Sequence, residues 1–135
     1  MTPDSTVFSQ YLSSLPPVSE PDFPENAKTF LTFASGFDLA DPKIELKLRH
    51  TFHVVDACFY LARALKLSDE ETYIACLIGL LHDVGRFEQL TQFHSFDDSL
   101  IPHAKLSVEF LFLDGHIQDY LAPKYEAWSP VIEAA

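Results

Sequence analysis

Apolar residues recur at helical spacing along most of this chain, and start and stop signals divide them into segments. Asp41-Pro42 has the N-cap and first-turn proline of a helix start, and no Gly or Pro intervenes from Lys43 to about Lys66. Within that run Ile44, Leu48, Phe52, Val55, Phe59 and Ala62 form one apolar stripe, with His50, Val54, Ala57 and Leu61 beside it. Ser68-Asp69-Glu70-Glu71 then reads as a capping box. Ile74, Leu77, Ile78 and Leu81 follow, which predicts a helix from about Asp69 to Asp83 with Gly85 near its end. Two more helices are predicted. One covers Glu25 to Phe37, with Ala27, Phe30, Leu31, Phe33 and Ala34 as its apolar positions and Gly36 as its terminator. The other opens at Pro102, carries Leu106, Val108, Phe110, Leu111, Phe112 and Leu113 as a largely buried run, and stops at Gly115. No stretch alternates as a strand, so the expected fold is all-α.

The remaining segments are weaker. Val7, Phe8, Tyr11 and Leu12 suit one short helix face, but Leu15-Pro16-Pro17, Pro21 and Pro24 are expected to stop helices repeatedly. Residues 1–25 are therefore expected to be a loosely packed, proline-containing lead segment before a single domain over 26–135. Phe87 to Ile101 is expected to be irregular, holding Glu88, Gln89, Gln92, His94, Asp97, Asp98 and Ser99. Such a loop either lines a pocket or is a solvated connector. His116 to Leu121 suits a short turn, and Ser129-Pro130 starts a helix of only five or six residues before Ala135.

Composition narrows the class. At 135 residues the chain suits one domain, and 12 phenylalanines point to an aromatic-rich core. A formal charge of −11 argues against a nucleic-acid polymer or an anionic membrane as partner, since both need clustered Lys and Arg. It leaves room for a phosphate ester, because a bound divalent cation reverses the local field. Cys58 and Cys76 stand among apolar neighbours in predicted helices and are expected to be reduced, buried and inert. No run reaches transmembrane length and the N-terminus lacks a signal-peptide pattern, so the expectation is a cytoplasmic protein.

The chemistry concentrates in Leu80-Leu81-His82-Asp83-Val84-Gly85-Arg86. An apolar run carries an imidazole and a carboxylate towards the interior, where a carboxylate is costly unless a cation or hydrogen-bond donors meet it. Imidazole with carboxylate suits Mn, Fe, Co, Ni or Zn, and the absence of thiolates in the cluster argues against a structural zinc finger. The alternative role for Asp83 is to cap the next turn, and for His82 to cap or pack at a helix end.

Lys47-Leu-Arg-His50-Thr-Phe-His53-Val-Val followed by Leu-Leu-His82-Asp83-Val-Gly-Arg86 resembles the HD-domain metal-dependent phosphohydrolases over about Ile44 to Leu113. The family pattern is a His on one helix, a His-Asp doublet at the end of the next, and an Asp on a later helix. Ile101-Pro102-His103 resembles the His that opens the following helix in many members. The resemblance implies an HD-like helical bundle over 26–135 with His50, His82 and Asp83 as ligands of a divalent transition metal. His103 is implied as a further ligand or a binder of substrate phosphate. His50 fits the family phrase better than His53, which is left as a pocket or surface residue and a candidate for substrate binding. Arg86 is implied to neutralise the transferred phosphoryl group, and Glu88 is a weaker candidate for proton transfer. The implied reaction is attack of metal-activated water on the phosphorus of a small phosphorylated molecule, a nucleotide above all.

One part of the pattern has no match. The family's last Asp follows a helix whose opening resembles Pro130-Val-Ile-Glu-Ala, where this sequence ends. Asp97, Asp98, Asp114 and Asp119 lack the right surroundings. Three explanations stand: a shortened chain lacking the C-terminal helices, a substitute ligand such as His103, or a degenerate member. The first is favoured, and exposed apolar surface would then favour a homodimer. The alternative to an enzyme is a catalytically inactive HD-fold module acting in signalling or protein interaction.

Overall fold

The computed structural model describes residues 5–93 and 102–135, and among these it contains helices and turns but no strand. The fold is all-α, as the hydrophobic spacing predicts. Its elements are α1 (Ser5–Ser13), α2 (Asp22–Ala34), α3 (Pro42–Ala64), α4 (Asp69–Leu81), α5 (Val84–Phe93), α6 (His103–Val108) and α7 (Ser129–Ala134). Between α6 and α7 lie a π-helical turn (Glu109–Leu113) and two 3₁₀ turns (His116–Asp119 and Pro123–Trp128). The chain divides into two compact units, residues 1–80 and 81–135. No helix among the described residues is long and apolar enough to cross a membrane.

In the first unit α3 buries the predicted stripe of Ile44, Leu48, Phe52, Val55, Phe59 and Ala62. Its start is fixed as expected: Asp41 Oδ1 accepts from the Lys43 backbone N–H at 2.9 Å, and Pro42 occupies the first turn. Its end is a Schellman closure, with Leu67 N–H donating to Ala62 O at 3.0 Å and Lys66 N–H to Arg63 O at 3.1 Å. α4 is buried on nearly all sides, through Tyr73, Ile74, Cys76, Leu77 and Leu80, which is the pattern of a central helix. At Gly79 a Cβ would stand 3.1 Å from Cys58 Sγ and 3.4 Å from Val55 Cα, so α3 and α4 pack closely there. Aromatic contacts join the other helices: Phe30 meets Phe52 edge-on at 5.9 Å, and Tyr11 of α1 stacks on Phe52 at 4.7 Å.

Several expectations change. The prolines do not keep the lead segment from forming helix. α1 forms at Ser5–Ser13, and α2 starts at Asp22 with Pro24 inside its first turn, where the missing N–H is one that has no intrahelical acceptor anyway. α4 ends at Leu81 rather than Asp83, because His82-Asp83 is the turn between two helices. The expected irregular stretch from Phe87 is helical as far as Phe93, its apolar positions Val84, Phe87 and Leu90 being spaced for a buried helix face. His94, Asp97, Asp98 and Ser99 lie outside the described residues. Leu113 is 77% exposed rather than buried, since α6 gives way after Val108 to a wider π turn that shifts the side-chain register. Gly115 closes that turn with φ +79°, a left-handed conformation suited to glycine.

Cys76 is buried as expected, and burial, reinforced by Cys58 and Asp56, pushes its thiol up to about 12. Cys58 is only half-buried, and both thiols are free.

The capping box forms reciprocally: Glu71 N–H donates to Ser68 Oγ at 3.1 Å and Ser68 N–H donates to Glu71 Oε1 at 3.0 Å. The bond from the Ser68 backbone, with the Ser68 hydroxyl second, holds the Glu71 carboxyl below its ordinary range. A depressed folded-state value means the contribution is present above the unfolded value and is lost as pH falls through the folded one. Ser68→Ala is expected to cost about 1 kcal/mol near neutral pH. The gap between variant and parent should narrow in acid, as read from urea midpoints at several pH values. A gap independent of pH would mean the carboxylate takes no part.

Candidate metal centre

The second unit begins at Leu81, and its first polar residues are His82 and Asp83. Asp83 immediately precedes α5, a position where the unsatisfied N–H groups of the helix start favour a carboxylate. Its carbonyl accepts from Arg86 N–H at 2.9 Å and closes the first turn. The residue is only 6% exposed. Electrostatic contacts reach both carboxylate oxygens. His82 Nε2 is 3.5 Å from Asp83 Oδ2, and His103 Nε2 is 3.3 Å from Asp83 Oδ1. His103 is the first residue of α6, twenty positions along the chain. Both imidazole side chains remain about a quarter exposed, at 28% and 24%, while the carboxylate they approach is buried.

The approach of α6 depends on Gly85. Gly85 N–H donates to Ser107 Oγ at 2.8 Å. A Cβ at residue 85 would collide with the His103 carbonyl oxygen and would stand 2.7 Å from Ser107 N and 2.7 Å from Ser107 Oγ. Gly85 is thus not the helix terminator expected from the sequence. It lies in the first turn of α5 and lets α6, with His103, come against the turn that carries Asp83.

These donors fit a first-row divalent cation. Metal–ligand bonds of about 2.0–2.2 Å place neighbouring ligand atoms roughly 3.0–3.5 Å apart, a spacing that the 3.5 Å between His82 Nε2 and Asp83 Oδ2 matches. Imidazole with carboxylate suits Mn, Fe, Co, Ni or Zn. Among the described residues His82 and Asp83 belong to a group of side chains that could hold a metal ion.

The other predicted residues are distributed as follows. His50 lies on α3 of the first unit, and His53, one turn on, is exposed. Arg86 is half-buried on α5, and its Nη1 donates to Gln89 Oε1 at 2.9 Å. Glu88 is exposed and accepts from Gln92 Nε2 at 3.1 Å along the helix. Asp114 is exposed, and Asp119, also exposed, contacts His116 Nδ1 at 3.1 Å. Sequence reasoning missed Ser107 and Gln89. Ser107 is a small polar residue inside an apolar run, a spacing that could have flagged a close helix contact. Gln89 falls in the stretch expected to be irregular, as a pocket lining or a solvated connector, yet it is fully buried on α5.

Comparisons with models of protein families, with curated proteins and with solved structures find no match to this chain.

Proposed function

We propose that this protein is a metal-dependent phosphohydrolase of the HD type acting on a phosphate ester of a small molecule, a nucleotide above all. The observation that carries the reading is the buried Asp83 carboxylate, with an imidazole nitrogen against each oxygen. A carboxylate so placed is costly to bury unless a cation or hydrogen-bond donors meet it, and a divalent cation held by the same groups would supply that charge. His50, His82 and Asp83 are donors of the types that hold a metal ion, and His103 is the further ligand or phosphate binder. The bound cation supplies Lewis-acid chemistry and acidifies water near neutral pH. The protein's own groups bind and orient the ester. Arg86 presents delocalised positive charge to phosphoryl oxygens, His53 is a candidate substrate contact, and Glu88 a candidate for carrying a proton.

The test is metal content by elemental analysis on protein purified without chelator or added metal. About one equivalent of a transition metal per chain is expected, and His82→Ala should reduce it to near none. Equal metal in variant and parent would reject the ligand assignment. Turnover is then sought on a panel of nucleotides with Mn, Co or Ni.

A second reading is a non-catalytic module of the same fold that acts in signalling or protein interaction. It draws on the described C-terminal acids: Asp119 is engaged by His116 and Asp114 is exposed, so neither adds a carboxylate to the group around Asp83. Retained metal without turnover on the panel would favour it.

A further inference from the structure

α3 is apolar on two sides. The stripe from Ile44 to Ala62 is buried in the core of the first unit. A second stripe, Ala57, Tyr60, Leu61, Ala64 and Leu65, recurs at intervals of three and four on the opposite side of the helix and is exposed. Tyr60 is 71%, Leu61 62% and Leu65 70% exposed; with Leu113 these are the four most exposed large apolar side chains described. A single exposed leucine needs no explanation, but a contiguous apolar patch marks a surface that another body covers. One apolar stripe is enough to pack a surface helix, and two call for two partners.

The charges beside the stripe indicate what that body is. Asp56 and Arg63 each stand one residue before an alanine of the stripe and seven residues apart, so they share one flank of it. Neither is in an ion pair with a described residue, and Arg63 rests on the Phe59 ring at 5.0 Å. An antiparallel second copy of α3, related by a two-fold axis between Tyr60 and Leu61, sets Ala57 against the partner's Ala64 and Tyr60 against the partner's Leu61. Asp56 then lies within about 3 Å, along the helix axis, of the partner's Arg63, and symmetry repeats the pair on the other side. The alanines let the two helices approach at the short end of the usual spacing of about 8–10 Å. An anionic bilayer is a poor rival as the cover, because the chain carries a net charge of −11.

We propose that the exposed face of α3 from Ala57 to Leu65 is the contact surface of an antiparallel, two-fold symmetric homodimer, with reciprocal Asp56–Arg63 pairs at its edge. The inference is independent of the phosphohydrolase reading, since it uses no residue of the candidate metal centre. Apolar contact supplies the affinity, and the paired charges fix direction and register. The face is small, so monomer and dimer exchange at micromolar concentrations and above.

The experiment is sedimentation equilibrium of the full chain from about 10 μM to about 1 mM, the range in which a small interface fills. The mean mass should climb from one chain towards two. Leu61→Glu brings two carboxylates together at the axis and should weaken association about tenfold or more. Leu61 is exposed, so helix content and the denaturation midpoint should stay near those of the parent. Leu113→Glu, as exposed but in the other unit, should leave association unchanged. Asp56→Arg and Arg63→Asp should each weaken self-association, whereas an equimolar mixture of the two should associate as well as the parent, because every cross-pair then joins opposite charges. A chain monomeric across the whole range overturns the proposal and leaves the face to a different partner. A dimer that survives Leu61→Glu, or that Leu113→Glu weakens equally, overturns it as well. Single charge variants that the mixture does not rescue overturn the antiparallel pairing. Should Leu61→Glu lose helix, the mixture decides.

Discussion

Gly85→Ala is expected to lower the unfolding free energy by about 3 kcal/mol, at the upper end of the usual cost of overpacking. The new methyl would collide with the His103 carbonyl oxygen and stand 2.7 Å from Ser107 N. Both are backbone atoms of α6, which cannot rotate aside as a side-chain tip would. Relief requires α6 to move away, and His103 moves with it. The Gly85 to Ser107 bond of 2.8 Å would stretch in the same motion. The variant should therefore lose metal retention as well as stability. Gly115→Ala is the control: its φ of +79° disfavours a side chain, yet nothing lies within 4 Å of the added Cβ. Its cost should be only about 1–2 kcal/mol, with metal content unchanged. Urea denaturation and elemental analysis of both variants read the difference. A Gly85→Ala protein as stable as the parent would show that α5 and α6 do not pack as described.

Phe30→Ala is expected to cost about 4 kcal/mol, the largest effect of any single core truncation proposed here. Phe30 is fully buried on α2 and meets Phe52 of α3 edge-on at 5.9 Å. Phe52 in turn stacks on Tyr11 of α1 at 4.7 Å, so one ring joins three helices of the first unit. Removal of the Phe30 ring forfeits transfer free energy and leaves a cavity that rigid neighbours fill only in part. Phe30→Leu keeps most of the volume and should cost roughly 1 kcal/mol. Against a total stability of about 5–15 kcal/mol for a domain, the alanine variant should be marginal and the leucine variant folded. Equal midpoints for the two variants would mean the ring contributes little beyond its first carbons.

Much of the fold is legible from the chain alone because helices are encoded locally. The stripe from Ile44 to Ala62 is written at intervals of three and four, and those residues are buried. Asp41-Pro42 and Ser68 to Glu71 carry their own capping chemistry, and both caps form. The same signals fail where the determining neighbour is distant. Pro24 reads as a breaker, yet it stands in the first turn of α2, where its lost N–H matters least. Leu113 reads as core, yet the π turn rotates it outwards.

The candidate site divides in the same way. The sequence determines that His82 and Asp83 are adjacent after an apolar helix, and thus that an imidazole and a carboxylate reach one place. Only the tertiary structure decides what meets them. His103 reaches Asp83 because Gly85 has no side chain to hold α6 away. Gln89 is fully buried on α5, although the sequence places it in a polar stretch expected to be irregular. Periodicity records which face a helix buries. Which polar group shares that interior, and with what partner, depends on contacts between residues far apart in the chain.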